Sequence, residues 1–178
     1  MRVAVSGAHG VGKTTFCNDF ADALRNKGLS VDVKTDVART LREEGVAINQ
    51  QTEGAEYALF LEKHLDNLYA EPESDVVMYD RTMLDTIAYA TANGNLDDRW
   101  LSFLRKAAAQ LIRPVDLYLY ISIEFGLEDD GIRATGQEYQ TKVDQALMEI
   151  LKECRSDILT LSGTRSERVE QALQYLKR

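Results

Sequence analysis

Proline is nearly absent from this chain. Of 178 residues only Pro72 and Pro114 are proline, and each stands just before an apolar, strand-like run. No long linker, internal repeat or low-complexity tract is present, which excludes proline-rich spacers and repeat architectures. Cysteine is equally scarce. Cys17 and Cys154 form no metal-like cluster, and Cys17 falls on a predicted core face, as expected of a buried free thiol. Long apolar runs are missing too: the longest, Leu117 to Ile123, is far too short to cross a bilayer. Met1-Arg2 leads straight into a strand and a polar loop, unlike an export signal. A reducing, cytoplasmic setting without a membrane partner is the expectation. Positive charge is also in deficit, with 21 Lys+Arg against 29 Asp+Glu and a formal charge of −8. Such a surface repels a phosphate backbone, so any grip on nucleic acid would need a few placed arginines.

What is present alternates between two periods. Apolar runs at Arg2–Ser6, Val31–Lys34, Val76–Tyr79, Leu117–Ile123 and Ile158–Leu161 read as five strands. Between them lie helical patterns. Lys13–Lys27 has Phe16, Phe20 and Leu24 on one face and stops at Gly28; a short helix follows Asp36. A longer helix opens at Asn49-Gln50-Gln51-Thr52 and runs to Tyr69, with Ala58, Leu61, Leu65 and Leu68 as its buried stripe. A helix from Leu84 closes at Asn93-Gly94, and Asp97–Ile112 buries Trp100, Leu104, Ala108 and Leu111. The polar segment Glu124–Gln137 precedes a helix with Val143, Leu147, Ile150 and Leu151 inward. The last helix starts with a capping box, Thr164 and Glu167, and buries Val169, Ala172, Leu173 and Leu176. Strand–helix alternation predicts an α/β three-layer sandwich: one domain, 1–178, with a five-stranded parallel sheet and a short lid at about 124–142.

The strongest chemical signal is Gly7-Ala8-His9-Gly10-Val11-Gly12-Lys13-Thr14, a match to G-x-x-x-x-G-K-[ST] between a strand and a helix, with Thr15 following. Its glycines let backbone N–H groups turn inward around a phosphate, and the helix points its positive end at the anion. Lys13 can neutralise the β- and γ-phosphates of ATP, and the Thr14 hydroxyl suits Mg²⁺. His9 reads as an outward-facing loop residue. Asp80, ending the third strand, is placed to hold the metal with Thr14 or to cap the next helix. Arg81 beside it would face the transferring phosphoryl group or the acceptor, or form a surface ion pair. Asp36, after the second strand, is either a base for a hydroxyl acceptor or the N-cap of its helix. Arg39, one turn on, could orient an acceptor phosphate. Tyr57, Phe60 and Tyr89 could wall an aromatic acceptor or belong to the core. Arg133, in the polar segment, would close over the transferring phosphoryl group as part of the lid or remain a solvated loop residue.

Several segments together resemble the nucleoside and nucleotide kinase branch of P-loop proteins, and within it the NadR/Ttd14-type AAA domain family. They are Gly7–Thr14, Thr35-Asp36-Val37-Ala38-Arg39, Asp80-Arg81-Thr82 with Asp85 and Ala88-Tyr89, Asp129-Asp130-Gly131-Ile132-Arg133, and Ser162-Gly163 with Arg168-Val169. Asp36 stands where this family often has Glu, and Lys142 where it usually has Arg. The resemblance implies an ATP- and Mg²⁺-dependent kinase, monomeric or homodimeric, with a nucleoside- or nucleotide-like acceptor. Asp36, as a carboxylate that could serve as base, tilts the expectation towards a hydroxyl acceptor, such as 5-hydroxymethyluracil in DNA; a ribosylnicotinamide kinase and a nucleoside monophosphate kinase are the alternatives. A nucleotide-gated binding protein with slow hydrolysis would share the loop and Asp80 without needing Asp36 or Arg133.

Overall fold

Period-two alternation in the central strands sorts the core into two faces. Val3 and Val5 point one way, with Met78, Leu119 and Ile121, onto Phe16, Phe20 and Leu24 of one helix and Ala172 of another. Ala4 points the other way, with Val77, Tyr79, Tyr118 and Tyr120, onto a layer carrying Leu84, Ile87, Leu147 and Ile150. A strand covered on both faces must be apolar throughout, which is why Val76–Asp80 and Leu117–Ile121 are buried at every position.

The computed structural model describes residues 1–46, 54–94, 96–124 and 134–177. In chain order these form β1 (Arg2–Ser6), α1 (Lys13–Arg25), β2 (Val31–Lys34), α2 (Val37–Glu43), α3 (Gly54–Tyr69) and β3 (Val76–Asp80). There follow α4 (Met83–Asn93), α5 (Asp98–Leu111), β4 (Leu117–Ile121), α6 (Ala134–Cys154), β5 (Ile158–Leu161) and α7 (Arg165–Tyr175). The sheet is parallel in the order β2-β3-β1-β4-β5. The fold is therefore the predicted three-layer α/β sandwich. The chain crosses over β1 to reach its neighbours on both sides, so the crevice at the carboxyl end of β1 is where a ligand of such a sheet binds. Register places Val5 opposite Asp80 and Ser6 opposite Tyr120. The residues closing β3 and β4 thus flank the loop that leaves β1.

Several sequence expectations need correction. Trp100 is not in the core: it is 56% exposed, because α5 turns Ala108 inward with Leu101, Leu104 and Leu111 only partly buried. Leu176 lies past the end of α7 and is exposed. On α3, Ala58 is exposed, and the fully buried line is Tyr57, Phe60, His64 and Leu68, with Leu61 and Leu65 at its margin. A three-four spacing fits either set, and packing against α2 and α4 selects the aromatic one. β4 ends at Ile121, and α6 begins at Ala134, inside the expected polar segment. Residues 134–142 of the anticipated lid are accordingly helix. Its other part, with Asp129–Arg133, and the Asn49–Thr52 opening lie outside the described residues. Cys17 is buried and free, as expected.

Candidate phosphate and acceptor site

The chain leaves β1 through backbone conformations that side chains resist. Gly7 has φ +156°, and a Cβ there would sit 2.6 Å from the Ile121 carbonyl oxygen and 3.0 Å from Val11. Gly12, at φ +91°, is the N-cap of α1. The loop can therefore lie flat on the end of β4 and turn directly into the helix. Lys13 is folded back under this turn. Its buried ammonium donates to the carbonyls of Gly7 (2.8 Å) and Ala8 (2.5 Å). Burial, with help from Arg81, lowers its pKa to about 8, against the opposing pull of Asp85, Asp80 and Asp36. An arriving anion would raise that pKa again and draw the ammonium off those carbonyls.

The loop is held from three sides. Asp85 on α4 accepts from the Ser6 hydroxyl (2.5 Å), the Gly7 N–H (3.2 Å) and the Thr82 N–H (2.9 Å), completing a capping box with Thr82. Tyr118 bridges the Ser6 and Thr82 hydroxyls at 2.7 Å each. From α6, the Gln140 amide donates to the His9 carbonyl (2.6 Å). From α7, Arg168 donates to the Val11 carbonyl (2.8 Å) and pairs with Glu124 (3.3 Å), whose carboxylate also accepts from the Gly163 N–H. Asp85 and Arg168 were visible only as parts of motifs. Gln140 and Glu124 carried no sequence signal of their own.

The two residues expected to hold a metal, Thr14 and Asp80, lie side by side. The Thr14 hydroxyl donates to Asp80 Oδ2 at 2.5 Å, and Asp80 Oδ1 is buried without a hydrogen-bond partner. Burial raises the Asp80 pKa, while the Thr14 bond and Lys13 oppose the shift. A hydroxyl beside a carboxylate with an idle buried oxygen is a hard-oxygen donor set that fits Mg²⁺ completed by phosphate oxygens and water. Among the described residues no group of three or more His, Cys, Asp or Glu could hold a metal by itself.

Arg81 lies across the crevice from the loop. Among described non-glycine residues it alone has positive φ, 78°, a conformation that costs on the order of 1–3 kcal/mol and is held by its surroundings. Its Nε donates to Asp36 Oδ2 at 2.8 Å, and its guanidinium sits 5.2 Å from the Tyr89 ring centroid. Asp36 Oδ1 meanwhile accepts from the Ala38 N–H at 2.9 Å. Asp36 thus caps α2, as one of its two sequence readings expected, and turns its other oxygen to Arg81.

Tyr89 opens an aromatic wall. His9 contacts it at 3.3 Å and lies 5.8 Å, centroid to centroid, from Tyr139 on α6. His9 is therefore half-buried between α4 and α6 rather than facing outward. Burial, Arg81 and Lys13 lower its pKa, opposed by the Gly136 carbonyl. Tyr139 donates to Asn93 (2.5 Å), which donates to Tyr57 (3.0 Å), joining α6, α4 and α3 in one line. Tyr139 is an addition that the sequence did not mark, and Asn93 was read only as the end of its helix. Phe60 does not line the wall; it packs with Val37 and Leu41 between α2 and α3. Arg39 and Thr15 are exposed, and the Arg39 backbone N–H donates to the Asp36 carbonyl at 2.9 Å in the first turn of α2; Lys142 is exposed on α6. Arg133 lies outside the described residues.

Comparison with known proteins gives the family and the fold. The AAA domain family matches residues 2–168. A thymidylate kinase of Protochlamydia amoebophila (strain UWE25) is 26% identical over 208 residues, covering 98% of this chain and 91% of that protein. One from Thermomicrobium roseum is 31% identical over 136 residues, covering 70% and 65%. Among solved structures, NadR protein in complex with NR superposes with a TM-score of 0.76 at 21% identity, covering 99% of this chain and 52% of that one. NadR in complex with NAD and AMP-PNP gives 0.72 at 20% identity, covering 99% and 49%. The chain spans about half the length of those NadR chains. No helix among the described residues is long and apolar enough to cross a membrane.

Proposed function

We propose, for a chain that belongs to the AAA domain family, that it is an ATP-dependent kinase of the nucleoside/nucleotide type. It moves the γ-phosphoryl group to an acceptor held between the phosphate loop and the Asp36–Arg81 pair. The observation that carries this reading is that pair: a buried phosphate cradle on one side of the crevice and a paired carboxylate and guanidinium on the other. Backbone amides of Gly7–Thr14 and the α1 terminus bind the phosphates, and Lys13 neutralises charge as the γ-group leaves. Thr14 and Asp80 would hold Mg²⁺, which supplies further neutralisation of the phosphates when bound. Arg133 is assigned the remaining cationic contact, from the lid.

The acceptor we favour is a nucleoside monophosphate. Asp36 already accepts one hydrogen bond on each oxygen, from Ala38 and Arg81, so it is poorly prepared to strip a proton. A phosphate acceptor needs no base, and a guanidinium such as that of Arg81 suits it. Thymidylate kinase, the name of the relatives above, acts on such an acceptor. The aromatic wall of Tyr89, Tyr139 and Tyr57 would flank the base. A second reading keeps a hydroxyl acceptor, in a free nucleoside, ribosylnicotinamide or 5-hydroxymethyluracil in DNA. It is favoured by Asp36 facing the crevice at all, since each carboxylate oxygen retains a second lone pair.

A panel of nucleosides, monophosphates and hydroxymethylated DNA incubated with γ-labelled ATP separates these readings. With a monophosphate acceptor, label appears in a diphosphate; Arg81→Ala costs about 100-fold or more and Asp36→Asn less than about tenfold. With a hydroxyl acceptor, Asp36→Asn costs roughly 10²–10⁴. Label found only in free phosphate would favour a nucleotide-gated binding protein instead.

A further inference from the structure

Outside the crevice, one surface is at odds with the rest of this acidic molecule. Along α5 and the turn that ends it, Arg99, Phe103, Lys106, Gln110 and Arg113 recur at intervals of four, three, four and three residues and are all exposed. That spacing places them in one stripe about 21 Å long. Trp100 flanks the stripe and meets Phe103 edge-on at 5.9 Å, and the two rings are 56% and 59% exposed. Among the described residues none of the three cations forms an ion pair, whereas Arg105, on the inner side of the same helix, is paired with Glu153. Glu153, paired with Arg105, shares a cavity lining with Lys106 and Asp98, and two carboxylates stand at the start of the stripe. Asp97 is engaged by the Arg99 and Trp100 N–H groups as the helix cap, and Asp98 is its exposed neighbour. Free cations interleaved with exposed aromatic rings, on a chain of charge −8, mark a local exception that packing does not explain.

We propose that this face binds a single-stranded polynucleotide, its phosphates on Arg99, Lys106 and Arg113 and its bases stacked on Trp100 and Phe103. Stacking on an aromatic face is tolerant of sequence, and cations along the backbone supply the electrostatic part. Two physical points favour this occupant. A buried apolar partner would have to desolvate three unpaired cations. A second copy docking through the same stripe about a two-fold axis, helix against antiparallel helix, would set Arg99 against Arg113 and Lys106 against itself. The site is independent of the acceptor reading, since none of these residues lines the crevice.

Trp100 is the sole tryptophan, so its fluorescence reports this face alone. The full chain is titrated with an oligothymidylate of about twelve nucleotides at low salt. Saturable quenching is expected. The affinity should fall about 20-fold between about 50 and 200 mM salt, as three neutralised phosphates on a single strand dictate. The triple variant Arg99→Glu, Lys106→Glu, Arg113→Glu should lose at least about tenfold in affinity while its circular dichroism and ATP-dependent phosphoryl transfer to small acceptors stay unchanged. Phe103→Ser should weaken binding without changing the salt slope. Absence of quenching, quenching that survives the triple charge reversal, or equal quenching by a polyglutamate peptide would overturn the proposal. So would sedimentation showing a dimer whose formation itself shields Trp100.

Discussion

The phosphate loop is a run of consecutive residues joining one strand to one helix, whereas the acceptor side draws Asp36, Tyr57, Arg81, Tyr89 and Tyr139 from elements spread from α2 to α6. The two halves are also held differently. Around the loop, Asp85, Gln140, Arg168 and Tyr118 bond to its backbone or to Ser6, so the cradle is fixed by groups that never need to touch a ligand. On the proposed acceptor side the bonds run between the side chains of the pocket themselves, Asp36 to Arg81 and Tyr139 to Asn93 to Tyr57. A preformed cradle suits the phosphates shared by every nucleoside triphosphate. Under the proposed function, a pocket of mutually bonded side chains exchanges partners when its acceptor arrives, and specificity would reside there.

Breaking the cradle should have the largest effect. Gly7→Ala drives a Cβ to 2.6 Å from the Ile121 backbone at positive φ, where no flexible atom can yield. A loss of about 3 kcal/mol or more is expected, read as a lowered denaturation midpoint together with lost ATP binding. An unaltered midpoint would mean that the loop is not seated against β4.

Next is the support beneath the acceptor side. His64, buried on α3 and bonded to Thr86 at 3.0 Å, has its pKa lowered by burial from 6.5 to about 4, with Asp36 opposing and Arg81 assisting. Because the folded value lies below the unfolded one, the unfolded chain takes up a proton first as pH falls. This contribution is present above about pH 6.5 and is lost between there and about pH 4, up to roughly 3 kcal/mol. His64→Gln should flatten that part of the stability–pH curve. An unchanged slope would place the titration elsewhere.

Arg81→Lys sharpens the comparison at smaller cost. It keeps the charge and removes the fork, so the KM for acceptor should rise about 10–100-fold while that for ATP stays within about twofold. Equal changes in both would mean that the two halves do not divide the work. Tyr139→Phe should matter least, by about 1 kcal/mol or less in acceptor affinity, through the lost bond to Asn93.

The same contrast explains what could be read from the sequence. Gly7, Lys13 and Thr14 lie at fixed spacing because one turn imposes it, and Asp80 is found from them because register sets β3 beside β1. The five strands were legible through their apolar runs, and so was the capping box at Thr164 that starts α7; the one at Thr82 that starts α4 emerged only in the structure. Tyr139, Asn93, Gln140 and Glu124 were not legible, since their roles arise only when α6 and the end of β4 are laid over the loop. Trp100 was misplaced for a related reason: helical spacing assigns residues to faces, but it does not say which of two apolar faces meets the core. His9 turned inward because α6 offered it Tyr139 and the Gly136 carbonyl.

The most direct measurement is calorimetric titration of the chain with a non-hydrolysable ATP analogue, with and without Mg²⁺, alongside Lys13→Ala and Asp80→Asn. Saturable binding at one site is expected, strengthened by Mg²⁺, weakened at least about tenfold by Lys13→Ala and made insensitive to Mg²⁺ by Asp80→Asn. No binding by the unaltered chain, or binding indifferent to Lys13, would contradict the account at its base.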